Sequence, residues 1–443
     1  MVDREWIERD RAVRIQSRFT FPQVLERGAG TYVYDTDGRE YLDFLAGQVC
    51  AVAGHSHPRY ADAIADQARR LVQRGSAFTD VRQIELAELL ARMCPGNLNK
   101  SYFACTGSES NEAALRMAKL ITGRHEIVAV VRGYHGLTAG SFGITGLGGV
   151  FRDGYGPMQA GAAFLPAPYV YRCPFKGCDP DGGTCAMTCL EHGLDTLRRT
   201  TSGRPAAVFV EVLQSAGGVI LLSDDWLREI RRLCDEWGAL LVIDEAQTGF
   251  GRTGRMFAFE HSGVLPDILT VSKSLGGGVP ASAVVVRDEL AEQLERRGYY
   301  QSSSHTGDPL LSAAAIANLT IIEEEGLVEN AAKIGAVLRD GLEAIASDCE
   351  IVGDVRGLGL FLGIEVVESK ESRKASSPLA ESVSRMCQEE GLLVGHVPGA
   401  VSENIIRLLP PLSVSSSEAE RALEILAASF ARVARLGPEA RAD

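Results

Sequence analysis

Segment 270–278 carries a lysine, Lys273, between two serines and just ahead of three glycines. A lysine amine can form an imine with an aldehyde, and small neighbouring residues let the backbone come close to a bound group. The alternative interpretation is a solvated lysine in a loop, since most lysines are exposed. The segment therefore predicts a covalent cofactor site only if other parts of the chain supply the remaining contacts.

Polar residues also follow the apolar runs that come earlier in the chain. Residues 106–112 (TGSESNE) open a helical pattern. Free N–H groups at a helix start, beside a glycine that permits close approach, can bind a phosphate. Residues 133–136 (GYHG) follow the next apolar run and include Tyr134, whose ring could cover a planar ligand. These segments predict contacts for a phosphate and for a ring.

An acid ends a third apolar run. Asp244 directly follows the run 240–243. A carboxylate in such an apolar setting is unfavourable unless a cation faces it. An aldehyde-binding lysine, a phosphate cradle and a buried acid together indicate pyridoxal phosphate (PLP), which joins an aldehyde, a phosphate and a cationic ring.

A single arginine, Arg407, lies in an apolar run before two prolines. A buried arginine needs an anion, and a substrate carboxylate would bind it in a bidentate manner. A salt bridge to an acid of the protein itself is the alternative.

The elements that must position these residues alternate between short apolar runs and amphipathic helical segments. The predicted strands are residues 101–105, 127–131, 207–212, 240–243, 268–271 and 283–286. This alternation predicts an α/β fold with a largely parallel sheet covered by helices. Ligands of such sheets bind at the carboxyl ends of the strands, where the polar residues described above occur.

The chain has 443 residues, which favours more than one domain. We expect an N-terminal arm at 1–60 that is part of a small domain, a large cofactor-binding domain at 61–308, and a C-terminal small domain at 309–443. Within the arm, an Asp-Gly pair predicts the turn of a hairpin. The glycine-rich segment 353–359 lies between two apolar runs and predicts a tight turn rather than a nucleotide loop.

Composition narrows the classes of partner. The net charge of −13 argues against a nucleic-acid or anionic membrane surface. No apolar run reaches membrane-spanning length, and the first residues lack the pattern of a secretory signal. We therefore expect a cytoplasmic protein whose partners are small molecules.

Four of the ten cysteines lie close together in a segment rich in glycine and aspartate. They are Cys173, Cys178, Cys185 and Cys189, with His192 nearby. A structural metal site and a disulfide are alternatives here, but the spacing contains no tight Cys-x-x-Cys pair. Free loop thiols are the favoured interpretation, and no metal site is predicted.

Taken together, several ordered motifs resemble those of class III aminotransferases, which are fold type I PLP-dependent enzymes. The motifs are residues 106–113, 134–136, 244–249, 252–254 and 272–273. The resemblance covers nearly the whole chain. It implies a large domain with a mostly parallel seven-stranded sheet and a smaller α+β domain. Within this class, residues 47–48, 117–120, 166–169 and 407–411 look most similar to 2,2-dialkylglycine decarboxylase, a family that both decarboxylates and transaminates.

The resemblance also implies roles for individual residues. Lys273 would form the imine and move the proton, Asp244 would keep the ring nitrogen protonated, and Gln247 would donate to the ring hydroxyl oxygen. Further cofactor contacts would come from Thr106, Gly107, Ser108, Tyr134 and His135. Ser304 would reach the phosphate of a neighbouring subunit, which implies a homodimer or a dimer of dimers.

Three residues are implied to bind the substrate: Gln48, Glu211 and Arg407. Arg407 would hold the carboxylate in the plane of the ring, which favours transamination. Gln48 could instead donate to a carboxylate held out of that plane, which favours loss of carbon dioxide; a polar residue at a strand end is the alternative for Gln48. The chain departs from the decarboxylase at Tyr134, Leu137 and Ala216, where that family has tryptophan, methionine and serine.

The expected function is that of an aminotransferase, which moves an amino group from an amino acid or amine to a 2-oxo acid such as pyruvate. Transamination that depends on decarboxylation is its nearest variant. A PLP-dependent racemase or epimerase is a second hypothesis. A PLP-binding sensor without turnover is a third, against which the intact Lys273, Asp244 and Gln247 argue. The sequence leaves the amino donor open.

Overall fold

The structure is a computed structural model that describes residues 2–17, 21–175, 177–179, 185–396 and 402–435. Its contacts divide the chain into a larger unit, Arg59–Val328, and a smaller unit formed by Met1–Pro58 and Glu329–Asp443. Within the described ranges, no helix is both long and apolar enough to cross a membrane.

The N-terminal part of the smaller unit contains a helix, three strands and a short irregular helix. These are α1 (Val2–Val13), β1 (Leu25–Ala29), β2 (Tyr32–Asp35), β3 (Glu40–Asp43) and α2 (Ala46–Val49). Strands β2 and β3 form the predicted hairpin, whose turn contains Gly38 at a φ of 81°. Asp35 Oδ1 accepts the N–H groups of Asp37 at 3.1 Å and Arg39 at 2.8 Å, which fixes the turn.

The larger unit contains most of the helices and the main sheet. Its elements are α3 (Pro58–Arg70), α4 (Val81–Met93), β4 (Leu98–Ala104), α5 (Gly107–Thr122), β5 (Ile127–Val130), α6 (Ala139–Gly143), β6 (Ala162–Leu165), α7 (Thr188–Thr200), β7 (Ala207–Val210), β8 (Leu213–Gln214), β9 (Ile220–Leu221), α8 (Asp224–Trp237), β10 (Leu240–Asp244), β11 (Ile268–Val271), β12 (Ser282–Arg287), α9 (Asp288–Arg296) and α10 (Pro309–Glu324). Short 3-10 turns occur at Gly149–Phe151, Val170–Arg172, Ala258–His261 and Lys273–Leu275.

The main sheet has seven strands in the order β4-β12-β11-β10-β7-β5-β6. Strand β12 is antiparallel to β4 and β11, whereas β11, β10, β7, β5 and β6 run parallel. Every residue of β5, β7 and β11 is buried, as expected for strands covered on both faces. The predicted fold class and all six predicted strands are confirmed. The seventh strand, β6, was not predicted.

The C-terminal part of the chain supplies the rest of the smaller unit. Its elements are α11 (Leu327–Asp348), β13 (Val352–Leu358), β14 (Phe361–Val366), α12 (Ser377–Glu389), β15 (Leu392–Leu393), β16 (Ile405–Leu408) and α13 (Ser416–Arg435). Strands β13, β14 and β16 form an antiparallel sheet, and β15 joins β3 in parallel. The segment 353–359, which the sequence predicted to be a tight turn, lies mostly in β13; the turn begins only at Gly359, whose φ is 54°. Helix α10 lies in the larger unit, where it packs on α4, although the sequence boundary at 308/309 assigned it to the smaller domain.

Candidate active site

The acid and the lysine singled out in the sequence lie at the same edge of the main sheet. Asp244 is the last residue of β10 and pairs in register with Thr270 of the parallel strand β11. Lys273 follows three residues after Thr270, in the 3-10 turn that ends β11. The carboxyl ends of adjacent parallel strands therefore bring these two side chains to one edge, which is where ligands of such sheets bind.

The turn that carries Lys273 is held in an unusual conformation. Lys273 has a φ of 43°, which is rare for a residue with a side chain and costs on the order of 1 kcal/mol. Asn318 Nδ2 donates to the carbonyl of Ser274 at 2.6 Å, and Tyr60 Oη donates to the carbonyl of Gly276 at 2.5 Å. A Cβ at Gly276 would overlap the carbonyl of Val279. Two residues distant in sequence, Asn318 and Tyr60, thus help to fix the lysine turn.

Three donors surround the carboxylate of Asp244. Asn111 Nδ2 donates to Oδ2 at 2.7 Å, His135 Nδ1 lies 2.9 Å from the same oxygen, and the Ala246 N–H lies 3.1 Å from Oδ1. Burial favours the neutral carboxyl, but hydrogen bonds and the imidazole charge outweigh it and hold the pKa of Asp244 below its usual value. Asp244 is thus a buried carboxylate that stays ionised, as an acid that faces a ring cation must.

His135 is buried beside Asp244 and its ring is oriented by two contacts. Burial opposes a charged ring, yet the hydrogen bond that the ring donates to Asp244 and the charges of Asp244 and Glu211 raise the pKa of His135 overall. Its ring packs edge-on against Phe209, with centroids 5.9 Å apart. Among the described residues, Nε2 of His135 has no hydrogen-bond partner.

Asn111 was missed by the sequence analysis, although it completes the contacts of Asp244. Besides Asp244, its Nδ2 donates to the carbonyl of His135 at 2.8 Å, and its Oδ1 accepts from Thr270 Oγ1 at 2.9 Å. Asn111 lies on the buried face of α5, three and seven residues before the buried Ala114 and Ala118. A polar residue at a core position of an amphipathic helix is the signal that could have revealed it.

Tyr134 is held by a second buried acid. Its backbone N–H donates to Glu211 Oε1 at 2.7 Å, and its ring packs edge-on against Phe151. Burial, together with the nearby charge of Asp244, raises the pKa of Glu211 to about 7, even though His135, the Tyr134 N–H and Lys273 lower it. The same interactions show that Glu211 lies within electrostatic range of Lys273 and Asp244. Gln247 follows β10 by three residues, and its Oε1 accepts from Ser215 Oγ at 2.9 Å.

The start of helix α5 has the features of a phosphate site. Thr106 is the N-cap: its hydroxyl accepts the N–H of Glu109, and the Glu109 carboxylate accepts the N–H of Thr106. A Cβ at Gly107 would come 2.9 Å from Ser272 Oγ, so the helix start lies against the residue that precedes Lys273. Ser108 Oγ accepts the N–H of Leu137 at 3.3 Å. An aldehyde, a ring cation and a phosphate therefore each find matching groups in the larger unit, so these residues fit PLP.

Ser304 lies in an exposed loop of the larger unit. Its carbonyl accepts from Gln73 Nε2 at 3.0 Å, and its side chain is exposed. Its predicted contact with a neighbouring subunit stays a prediction.

Two further predicted residues belong to the smaller unit. Gln48 is exposed and lies in α2, where the backbone departs from helical geometry. Arg407 is half-buried on β16, opposite Gly363 of β14, and desolvation lowers its pKa. The strand end beyond Arg407 is joined to the segment before Gln48, because the Leu409 N–H donates to the carbonyl of Phe44 at 2.7 Å.

All ten cysteines are free thiols. The thiol of Cys178 is hydrogen-bonded to both Cys173 and Cys185, and the Ala186 N–H lies 3.5 Å from its sulfur. Nevertheless, the described parts of the chain contain no group of three or more His, Cys, Asp or Glu side chains arranged to hold a metal ion.

Comparison with known proteins identifies the family. The model of the family "Aminotransferase class-III" matches residues 15–430. The chain belongs to the class III aminotransferases. These enzymes are PLP-dependent, so the protein is an enzyme with PLP as its cofactor.

Relatives of this aminotransferase span several activities. An uncharacterized aminotransferase from Schizosaccharomyces pombe is 37% identical over 404 residues, covering 91% of this chain and 89% of the relative. A leucine/methionine racemase from Thermococcus litoralis is 34% identical and covers 96% and 95% of the two chains. A solved (S)-enantioselective omega-transaminase from Thermomicrobium roseum is 33% identical with a TM-score of 0.90, covering 97% and 98% of the two chains.

Proposed function

We propose that this class III aminotransferase moves an amino group from an amino acid or amine to a 2-oxo acid such as pyruvate, using Lys273 and Asp244 as its central residues. The main support is their position at the ends of adjacent parallel strands, with the carboxylate kept ionised by its neighbours. PLP, when bound, withdraws electrons from the bonds of the amino-bearing carbon. The chain's own residues must then hold the substrate and move its protons.

In this proposal the larger unit binds the cofactor. The N–H groups at Gly107 and Ser108 would bind the phosphate at the positive end of α5. The charge of Asp244 would hold a proton on the ring nitrogen, and Gln247 would donate to the ring hydroxyl oxygen. Tyr134, whose N–H donates to Glu211, would cover the ring.

Lys273 is proposed as the group that moves the proton. Its ε-amine would accept the proton from the substrate carbon and return it to another carbon. The positive φ of Lys273 and the hydrogen bonds to its turn support this role, because they fix where the side chain starts.

The smaller unit is proposed to bind the substrate carboxylate through Arg407 and Gln48. The guanidinium of Arg407 offers a bidentate contact, and desolvation at its site strengthens its attraction for an anion. Gln48 offers a neutral donor, which could steady a carboxylate that leaves as carbon dioxide. Decarboxylation-dependent transamination of 2,2-dialkylglycine-like donors is therefore part of the proposal.

The proposal includes a homodimer, or a dimer of dimers, in which Ser304 contacts the phosphate bound by a neighbouring subunit. The exposed side chain of Ser304 is compatible with this role.

Racemisation of an amino acid is a second candidate. It is favoured by the similarity to a leucine/methionine racemase over 96% of this chain. A racemase needs only to return the proton to the opposite face of the carbon, which requires no change in the cofactor-binding residues named above.

The test is an assay of the purified enzyme, loaded with PLP, with 2-methylalanine and pyruvate. Release of carbon dioxide together with an equal amount of alanine would establish the decarboxylating variant. Alanine formed from ordinary amino donors without gas would exclude that variant and retain the aminotransferase. Inversion of L-leucine or L-methionine without any 2-oxo acid product would favour the racemase and refute the aminotransferase proposal.

A further inference from the structure

The segment that carries Gln48 has a backbone that its own sequence does not favour. Ala46, Gly47 and Val49 have φ values of 47°, 67° and 64°. Positive φ is rare for residues with a Cβ and is a genuine outlier for a β-branched residue such as Val49. Such a conformation persists only where surrounding contacts impose it, and it often occurs at functional sites.

The contacts that impose it converge on one buried carboxylate, Asp43. Its Oδ1 accepts the N–H of Leu45 at 2.8 Å, and its Oδ2 accepts the N–H of Gly47 at 2.9 Å. Oδ2 also lies 2.7 Å from His55 Nε2. Asp43 is only 2% exposed, so these three donors are what makes its buried charge tolerable.

His55 is itself held by the first strands of the smaller unit. Its backbone N–H donates to the carbonyl of Gly30 at 2.7 Å, and its carbonyl accepts the Gly30 N–H at 2.9 Å. A Cβ at Gly28 would come 2.7 Å from the Cβ of His55, so only glycine lets the strand approach this closely. The imidazole is therefore a fixed support behind Asp43, and not a mobile surface group.

We propose that Asp43, supported by His55, is a positioning residue that fixes Gln48 for the substrate. This inference rests on the proposed role of Gln48 as a donor to the substrate carboxylate. Asp43 binds the N–H groups of two of the three residues before Gln48, and so determines where that exposed side chain begins. A function confined to stability is the alternative, because a buried carboxylate held by hydrogen bonds can also support the fold alone.

The first measurement is hydrogen exchange of the backbone amides before Gln48, which needs no catalytic activity. In Asp43→Asn, an amide donor replaces one carboxylate oxygen, so the remaining oxygen cannot accept from both Leu45 and Gly47. We expect hydrogen exchange of the Leu45 or the Gly47 amide to become about tenfold faster or more, as the loss of one charge-assisted hydrogen bond implies. Unchanged exchange at Leu45 and Gly47 would overturn the proposed support.

The second measurement is a double-mutant cycle with two donors, an amino acid and 1-phenylethylamine, which has no carboxylate. Asp43→Asn should lower kcat/KM about tenfold for the amino acid and less than about twofold for the amine. The double variant Asp43→Asn/Gln48→Ala should be no slower than Gln48→Ala alone, since both changes remove one function. Additive losses, or equal losses with both donors, would refute the positioning role.

The control variants separate this role from stability. Asp35→Asn alters another buried carboxylate of the same unit, which holds a turn through the N–H groups of Asp37 and Arg39. This variant should not change the ratio of the kcat/KM values for the two donors. His55→Gln retains a donor and should behave nearly as the parent enzyme, whereas His55→Leu should resemble Asp43→Asn. If Gln48→Ala alone has no effect on either donor, the proposed role of Gln48 fails, while the exchange measurement still reports whether Asp43 fixes the segment.

Discussion

Asn111 offers the sharpest test of how the enzyme keeps Asp244 ionised. In Asn111→Leu, a side chain of similar size loses the amide that donates to Asp244 Oδ2. A hydrogen bond to a charged group contributes about 1.5 to 3 kcal/mol. Without that bond the ionised carboxyl is less stabilised, so the pKa of Asp244 should rise in the variant.

The sign of the pH effect follows from the depressed pKa of Asp244. The carboxylate stabilises the fold above its unfolded value of 3.8, and this contribution is lost as pH falls through the lower folded pKa. Raising the pKa of Asp244 in the folded state removes part of what the carboxylate contributes to the free energy of unfolding. The difference in the free energy of unfolding between parent and variant should therefore be largest above about pH 5 and should shrink as the solution is acidified below about pH 4.

Two assays check this expectation. Urea unfolding of the cofactor-free protein at a series of pH values should show a loss of about 3 to 5 kcal/mol at pH 7, because the His135 carbonyl and the Thr270 hydroxyl also lose their partner. With PLP bound, kcat/KM should fall about tenfold or more.

The matched control is Ser110→Ala. Ser110 is an equally buried neighbour on α5, but within the described ranges its hydroxyl bonds only to the carbonyl of Gly107. We expect this variant to lose about 1 kcal/mol, with no change in the pH dependence. The reasoning is refuted if Asn111→Leu costs no more than Ser110→Ala, or if its effect on stability is the same at every pH.

Two further outcomes are expected. Lys273→Ala should abolish turnover and the visible absorption of the lysine-bound cofactor, and retention of full activity would end the proposed mechanism. Glu211→Gln should flatten the pH dependence of stability, because burial raises the pKa of Glu211 from 4.5 to about 7. The carboxyl therefore stays protonated in the fold up to about pH 7, and the parent loses roughly 3 kcal/mol of stability as pH rises from about 4.5 to about 7. Urea unfolding at pH 5 and pH 8 measures this loss, and an equal loss in Glu211→Gln would contradict it.

The predicted strands illustrate what local pattern can and cannot reveal. Strands β7, β10 and β11 are apolar runs rich in valine, isoleucine and leucine, so they were predictable from the sequence. Strand β6, of sequence AAFL, has no β-branched residue and is only partly buried. It is a strand because β5 supplies a parallel partner from Ile127 to Val130, and no local pattern records that pairing.

The bonding partners of the positioning residues, in contrast, could not be predicted from the sequence. Asn111, Tyr60 and Asn318 act on groups that lie 133, 216 and 44 residues away along the chain. Each bonds through a single side chain whose partner is chosen by the packing of separate elements. A sequence without tertiary contacts contains no signal for such pairs.

The sequence by itself determined the chemistry at the strand ends. The sequence shows a lysine after one apolar run, an acid after another and a glycine-serine helix start after a third. These are local features, because turn residues and side-chain periodicity depend on near neighbours. Only the tertiary structure decided that Asp244 stays charged and that the segment of Gln48 holds its strained backbone. Both depend on hydrogen bonds from distant residues inside a low-dielectric interior, where a buried charge persists only with its partners in place.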